Sequence, residues 1–536
     1  MNKVWMNKKI IVAIVIAIVV GAGIGAGATY LFVHKEVKPI TKPEVTVYRE
    51  YKGMYFPYAL KVTYYKNNAS KGYNFPANWP VTSYNTMHET VFNTENKLLN
   101  KGVSWNIPII NYAGGNAIPL NVTDSHLPAA KNIGNKSALT TMTQYMGEPL
   151  GVTLSHNLVY VEEDTGPGSI FALNPANGSI VWYATGLASQ AMNNPIVYHG
   201  IVYVTVGDTG FSFAQIEHAL HNESNIVRRG LTYGAIYAFN ATTGKLLWMN
   251  FTTGETMPSP AVHNGIIAYA DGGGQFVGLN ATTGKVLWKD HFGGFFDNMG
   301  SVTYYVLPNG TTEFIAGYTF VGAPHGLIIA VNASNGNVLW ETSMKKPYIP
   351  YDTGMGDVPL AVDQNTGVIY QSAIANYNTK TGKVDTVTMA INAVNGSVIW
   401  QTNIGRGYVP PAFKGGIPLI YNNMVYTGDQ STGSLVALYA NNGTIAWTLR
   451  LPDVHLPPTS PGGPRGSPVY YKGVLFVGAD SYIYAVNATT GSLINKYYVG
   501  GRFGIVNPVI VGNTMFLTNS YGWVTALPVT NIDPSI

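Results

Sequence analysis

Six tryptophans close the same short phrase, and that repetition limits the fold more than any other feature of the chain. Residues 168–182 read GSIFALNPANGSIVW, and residues 234–248 read GAIYAFNATTGKLLW. The phrase returns at 274–288 (GQFVGLNATTGKVLW), 326–340 (GLIIAVNASNGNVLW), 386–400 (TVTMAINAVNGSVIW) and 433–447 (GSLVALYANNGTIAW). Each copy opens with alternating apolar residues, such as Ile236 and Ala238, a strand pattern. A turn of the Asn-Ala-Thr-Thr-Gly type follows, with glycine supplying the positive φ of a tight hairpin. A second strand then ends in Trp. These are the third and fourth strands of a propeller blade, with the first two upstream, as in 467–478 (SPVYYKGVLFVG). Successive tryptophans lie 66, 40, 52, 60 and 47 residues apart. That is near the roughly 40–50 of propeller blades, plus insertions.

A seventh copy at 481–495 keeps the hairpin but has Asn495 in place of Trp. An eighth begins at Asn507 and reaches its third strand at 522–527, close to the end of the chain. Its outer strand is expected from the N-terminal region, where Lys101-Gly102-Val103-Ser104-Trp105 matches the close of the phrase. The expectation is an all-β, eight-bladed propeller over residues 75–536, its ring closed by the strand near 100–105. Seven blades is the alternative if Trp105 is accidental. Residues 34–74 carry no repeat and read as a stalk or extension.

Lys3, Lys8 and Lys9 precede an aliphatic run, and no further charge occurs until Lys35. Residues 1–33 therefore read as a signal peptide or a membrane-anchoring helix. Ala26-Gly27-Ala28 resembles a cleavage site, and export outside the cell is expected. Thirteen Asn-x-Ser/Thr sequons agree with a glycosylated surface, although seven fall at the repeat's own turn, where Asn is favoured anyway. The chain has no cysteine, which removes thiolate chemistry, disulfides and cysteine-held metals. A formal net charge of +4 gives no reason to expect a nucleic-acid partner. Homo-oligomers or filaments are compatible with the uncharged surface, but no residue demands them.

Tight turns occupy one rim, so chemistry is expected on the other, between each Trp and the next blade. Charged residues are only 11% of the chain, against roughly 25% in an average domain. Yet four of the seven arginines (Arg406, Arg450, Arg465 and Arg502) lie in these long connections, and Arg228 and Arg229 lie in an insertion on the same rim. Arg406 in Gly405-Arg406-Gly407, Arg465 in Pro464-Arg465-Gly466 and Arg502 after Gly500-Gly501 stand out, because glycines allow backbone to approach a ligand closely. Lys345, Lys346 and His291 add cations. The carboxylates are Asp352 and Asp357 in Tyr351-Asp352-Thr353-Gly354-Met355-Gly356-Asp357, with Asp297 third. Any of them can also simply cap a turn.

The phrase A-x-N-A-x-T-G-x-x-x-W resembles the tryptophan-docking motif of pyrroloquinoline-quinone (PQQ) enzymes and their non-catalytic relatives. Three readings compete. A PQQ dehydrogenase for an alcohol or sugar would take the quinone and calcium, and Glu162, Glu163 and Asp164 read equally as part of such a calcium site or as a solvated loop. The adjacent cysteine pair typical of such enzymes is missing. A binding scaffold of the outer-membrane-assembly type needs no catalytic residue. In size, export segment, lack of cysteine and low charge, the chain is most similar to the tetrathionate hydrolases of sulfur-oxidising thermoacidophilic archaea. That resemblance implies hydrolysis of tetrathionate to thiosulfate, sulfur and sulfate without quinone or metal. It also implies an aspartate in the middle of the propeller as the base, here Asp352 or Asp357, and guanidinia such as Arg406, Arg465 and Arg502 for the sulfonates. Low ion content fits an acidic exterior, where carboxylates are largely neutral and ion pairs lose value.

Overall fold

In a computed structural model, the described residues are 50–51, 54–55, 60–109, 151–163, 168–185, 187, 194–207, 234–256, 258–292, 301–319, 326–349, 358–410, 415–456, 463–500, 507–519 and 523–536. They form an all-β, eight-bladed propeller. Blades 2 to 7 are four-stranded antiparallel sheets in simple sequence order, for example Ile196–Tyr198, Ile201–Val206, Ala235–Asn240 and Leu246–Phe251 in blade 2. The first strand of each blade lies innermost and, in most of the ring, touches the first strand of the next. The segment 1–33 lies outside the described residues. Among the described residues no helix is long and apolar enough to cross a membrane.

The two terminal blades are composite. Blade 8 takes Trp105–Pro108 as its outer strand, antiparallel to Trp523–Pro528, and Val91–Phe92 lies parallel to its inner strand Val509–Val511. Blade 1 gains a fifth strand, Lys61–Tyr64, against the edge of Ile180–Thr185. The sheet system thus includes residues that the sequence reading assigns to the 34–74 extension. Covering an outer edge removes unpaired backbone groups that would otherwise invite another chain.

The phrase owes its length to the seam between blades. In each hairpin the Trp lies opposite a small residue: Ala172 for Trp182, Ala238 for Trp248, Gly278 for Trp288, Ala330 for Trp340. A register shift beside that pair turns the indole toward the next blade. There its Nε1 donates to a backbone carbonyl in the neighbouring turn: Trp182 to Ala241 at 2.8 Å, Trp288 to Ala333 at 2.7 Å, Trp340 to Ala393 at 2.8 Å. The turn glycine then lies flat on the ring. A Cβ at Gly178, Gly244, Gly284, Gly336, Gly396, Gly443 or Gly491 would meet the preceding blade's indole at 2.5–2.8 Å. The same glycines have φ of 70–80°. Trp105 closes the ring by docking on Gly178 and donating to Pro175 O at 2.9 Å. At the seventh seam Asn495 Nδ2 donates to Ile532 O at 2.8 Å, so the amide keeps the hydrogen bond without the ring.

Glycine has two separable roles in these turns, and one substitution pair distinguishes them. Gly265 has φ 77° with nothing near its missing Cβ, whereas Gly396 has φ 71° and Trp340 at 2.5 Å. Gly265→Ala is expected to cost only the left-handed backbone penalty of about 1–2 kcal/mol. Gly396→Ala should add about 1–3 kcal/mol of overpacking. Denaturant unfolding of both variants measures the difference, and equal losses would contradict docking on the indole.

Candidate functional site

The hairpin bends lie at one end of the barrel of blades, and the axis itself is filled by protein. Residues 76–94 wind across it and contact blade after blade. Trp79 pairs with Val197, Pro80 O accepts from Val262 N at 2.9 Å, and Thr86 O accepts from Val362 N at 2.6 Å. Met87 O accepts from Ile420 N at 3.0 Å, and Thr90 O from Ile510 N at 2.9 Å. Each inner strand has an N–H facing the axis that must find an acceptor, and this segment supplies one carbonyl to each of five blades. Trp79, Val81, Ser83, Thr86, His88 and Thr90 are buried. His88 gives its Nδ1–H to Pro418 O at 2.7 Å, and burial pushes its pKa down to about 4. A ligand approaching the centre therefore comes from the loop face.

On that face, aspartates at the ends of the second strands tie blades together. Asp271 accepts from Thr253 N at 2.8 Å, from Gly273 N and Gln275 N at 3.0 Å, and from the Thr253 hydroxyl. Burial raises its pKa against the pull of those donors. In blade 6, Asp429 accepts from Thr386 Oγ1 of blade 5 at 2.6 Å, from Ser431 N and Oγ, and from Thr432 Oγ1.

The turn at Asp429 is where two of the arginine-bearing connections meet. Blade 5 is lengthened on this side into a three-stranded projection, from Val368–Asn378, Lys383–Asn392 and Val398–Tyr408. Gly405 and Gly407 press it onto Asp429 and Ser431, where any Cβ would collide. From the other side, Gly463 rests on Gln430 and Pro464 on Gly428, while Arg465 O accepts from Ile417 N at 2.8 Å beside the inner strand of blade 6. Arg465 is 4% exposed. The glycines around Arg406 thus serve contact between blades, not the close approach of a ligand that the sequence suggests.

Arg406 points its Nη1 at Asp385 Oδ1, 2.8 Å away, and its side chain is 49% exposed where Asp385 is 6% exposed. Asn376 Nδ2 donates to the other oxygen of Asp385 at 2.8 Å, while Asn376 N donates to Ile349 O at 3.0 Å. At Val358, Gln371 Nε2 donates to the carbonyl at 3.3 Å. Residues 350–357, with Asp352 and Asp357, lie outside the described residues, but both flanks are anchored on one strand of blade 5, at Asn376 and Gln371. Asp297, Arg502, Arg228, Arg229 and Asp164 also lie outside the described residues. His291 is exposed at the end of Val286–His291, the outer strand of blade 3, and Lys345 and Lys346 are exposed on the connection leaving blade 4. Those three share no contact with the Asp429 turn. Glu162 is buried in blade 1. Among the described residues no group of three potential metal ligands is gathered.

Nothing in the local sequence singles out Asn376, Asp385 or Gln371. The one signal for the projection is the 60-residue interval between Trp340 and Trp400, longer than a plain blade requires.

Eight blades joined by docked tryptophans around a filled axis define a PQQ-like propeller. A family profile described as outer membrane protein assembly factor BamB matches residues 214–388 and 324–532. A europium-containing methanol dehydrogenase shares the fold, with a TM-score of 0.51 and 14% identity over 83% of this chain and 89% of that one. Much nearer is the tetrathionate hydrolase of Acidianus ambivalens, 50% identical over 99% of both chains. That of Acidithiobacillus ferrooxidans is 34% identical over 85% of this chain and 87% of its own length. The chain belongs to the tetrathionate hydrolase family.

Packing at the Asp429 turn yields a direct expectation. Gly407→Ala should lower unfolding stability by about 1–3 kcal/mol through collision with the Ser431 carbonyl. Unchanged stability with altered ligand affinity would instead place open space, and a ligand, at that glycine.

Proposed function

We propose that this protein hydrolyses tetrathionate to thiosulfate, sulfur and sulfate, in acid and outside the cell. The observation that carries the reading is 50% identity along essentially the whole chain to a tetrathionate hydrolase. Identity of that extent covers the loop connections as well as the blades, so it bears on the site and not only on the scaffold.

The reaction balances without a redox partner. Water attacks a divalent sulfur, the central S–S bond breaks, and thiosulfate leaves with the electron pair. A second water attacks the sulfonate sulfur of the remaining HO–S–SO₃⁻, its S–S bond breaks to give hydrogen sulfate and HS–OH, and HS–OH loses water to leave sulfur. Tetrathionate plus water thus becomes thiosulfate, sulfur, sulfate and two protons. The protein must bind a dianion, take a proton from water and stabilise the departing charge. Guanidinium groups suit sulfonates through charge-assisted, often bidentate hydrogen bonds. Arg465, buried beside the inner strands, is the foremost candidate, with Arg502 next. Arg406 is tied to Asp385 and helps to shape the wall more than it offers a free cation. An aspartate suits the role of base in strong acid, where histidine stays protonated. Asp352 and Asp357 share that role, with Asp297 third.

Export rests on the lysines and apolar run of residues 1–33. An acidic workplace rests on the low content of ions, since carboxylates there are mostly neutral and the chain becomes cationic, drawing anions toward its open face.

Purified protein incubated with tetrathionate near pH ~3 is expected to release thiosulfate, sulfur and sulfate in equal amounts, with a rate that falls toward neutrality. Asp352→Asn or Asp357→Asn should reduce kcat by at least about 100-fold, as loss of a general base does. Arg465→Lys should raise KM by about tenfold or more. Full activity in all three variants would remove the proposed site, and a neutral optimum would remove the acidic setting.

A further inference from the structure

Two carboxyl groups are built into the seams on either side of blade 4, one of them where neighbouring seams carry a neutral hydrogen-bond donor. Two residues after the docked tryptophan, Asn250 Nδ2 donates to Gly284 O at 2.5 Å, Thr402 Oγ1 donates to Gly443 O at 2.7 Å, and Thr342 Oγ1 donates to Gly396 O. In the seam between blades 3 and 4 that position is Asp290. A Cβ on Gly336 would lie 2.7 Å from Asp290 Oδ2, and a Cβ on Gly443 would lie 2.7 Å from Thr402 Oγ1. The carboxyl oxygen therefore sits over its turn just as the hydroxyl does. An ionised carboxylate has no proton for the Gly336 carbonyl, and Oδ2 is sealed from solvent with no partner.

In the seam between blades 4 and 5 a buried carboxyl lies beside a position where other blades place a tyrosine. In blades 1, 2, 5 and 6 a tyrosine of the second strand donates to the same carbonyl as the Trp: Tyr160 to Ala241 O, Tyr203 to Ala281 O, Tyr370 to Ala440 O, Tyr426 to Ala488 O. In blade 4 the matching residue is Ile315, opposite Ala330 as Tyr370 is opposite Ala390. Glu313, two residues away on the same face, brings Oε2 to 3.3 Å from Trp340 Nε1, which also bonds Ala393 O. Glu313 is fully buried and its Oε1 has no partner.

We propose that Asp290 and Glu313 are acid-form seam residues, which seat blade 4 against both neighbours when protonated and loosen it when ionised. In acid blade 4 is held against both neighbours, and toward neutrality both of its seams loosen. The inference stands on the seams alone and does not require the hydrolytic reading.

Burial favours the neutral form of both carboxyls, although Asp290 is half-buried and the Trp340 N–H on Glu313 favours its ionised form. Asp290 faces Tyr318, whose hydroxyl is held above its ordinary range by burial and then by Asp271 and Asp290. Its strand neighbours Lys289 and His291 are exposed on the opposite face. Glu313 meets Trp340 and, across the sheet, Tyr305; Glu341 beside Trp340 is exposed. Among the described residues neither carboxyl has an ion-pair partner. Burial raises the Asp290 pKa and, against the pull of the Trp340 N–H, pushes that of Glu313 up to about 8. Raised folded values mean that their contribution is complete below the unfolded values of 3.8 and 4.5, and is lost as pH rises, for Glu313 through about 8. His88 works the other way: its contribution is present above 6.5 and lost as pH falls through about 4. Variants at the two carboxyls are therefore the decisive readout, not the wild-type curve.

Thermal unfolding of the full chain from about pH 3 to about pH 8 tests this, comparing wild type with Asp290→Asn/Glu313→Gln. Amides keep the donors at every pH, as Asn250 does. The double variant is expected to lose less stability toward neutrality, with its linkage reduced by up to about two protons. An identical pH dependence would overturn the proposal. Should the double variant not fold, Thr402→Asp transplants the device to the seam between blades 5 and 6. It is expected to make stability newly acid-dependent, and an unaltered profile there would overturn the proposal equally.

Discussion

An indole laid on a glycine turn, with its N–H on the next blade's carbonyl, is the contact on which the ring depends. It is made seven times by Trp and imitated once by Asn495. Because each contact joins consecutive blades, it fixes the order of blades around the axis and leaves the opposite rim free to vary. Trp105 joins last to first, so the N-terminal region belongs to the closure and is not an appendage. Core tryptophans lost to alanine typically cost about 3–5 kcal/mol each, enough for the phrase to dominate the fold.

The second organising element is the segment 76–94. Its carbonyls complete the inner edges of five blades and fill the axis, which leaves the loop face as the approach to the centre. There, blade 5 projects beyond its neighbours. Its second strand holds both flanks of the stretch bearing Asp352 and Asp357, and its last strand leans on the Asp429 turn that also supports the Arg465 connection. Arg406, the Arg465 connection and the two flanks at Ile349 and Val358 thereby rest on blades 5 and 6, which are bound to each other through buried hydrogen bonds such as Thr386 to Asp429.

The repeat was readable because one short phrase contains a whole docking contact. Ala makes room for the ring, Asn and Gly form the turn, and Trp fills the gap, all within about fifteen residues. The axial segment was not readable, since each of its hydrogen bonds goes to a different blade and leaves no local pattern. Asn376 and Asp385 were hidden for a related reason: they lie in an insertion whose only trace is a long interval between two tryptophans. The Gly405-Arg406-Gly407 motif shows a different limit. Glycine signals close approach but not what approaches, and here it is Ser431 and Asp429 of the next blade. The carboxyls at Asp290 and Glu313 become conspicuous only when strand registers are superimposed, because in sequence they look like ordinary surface acids.

If water, and not an oxidant, opens tetrathionate on this propeller, its oxygen must appear in the products. Turnover in water enriched in heavy oxygen, with sulfate and thiosulfate separated and weighed by mass spectrometry, reads this out. One solvent-derived oxygen is expected in each sulfate and none in thiosulfate. Sulfate without the label, or turnover that appears only when an electron acceptor is supplied, would contradict it.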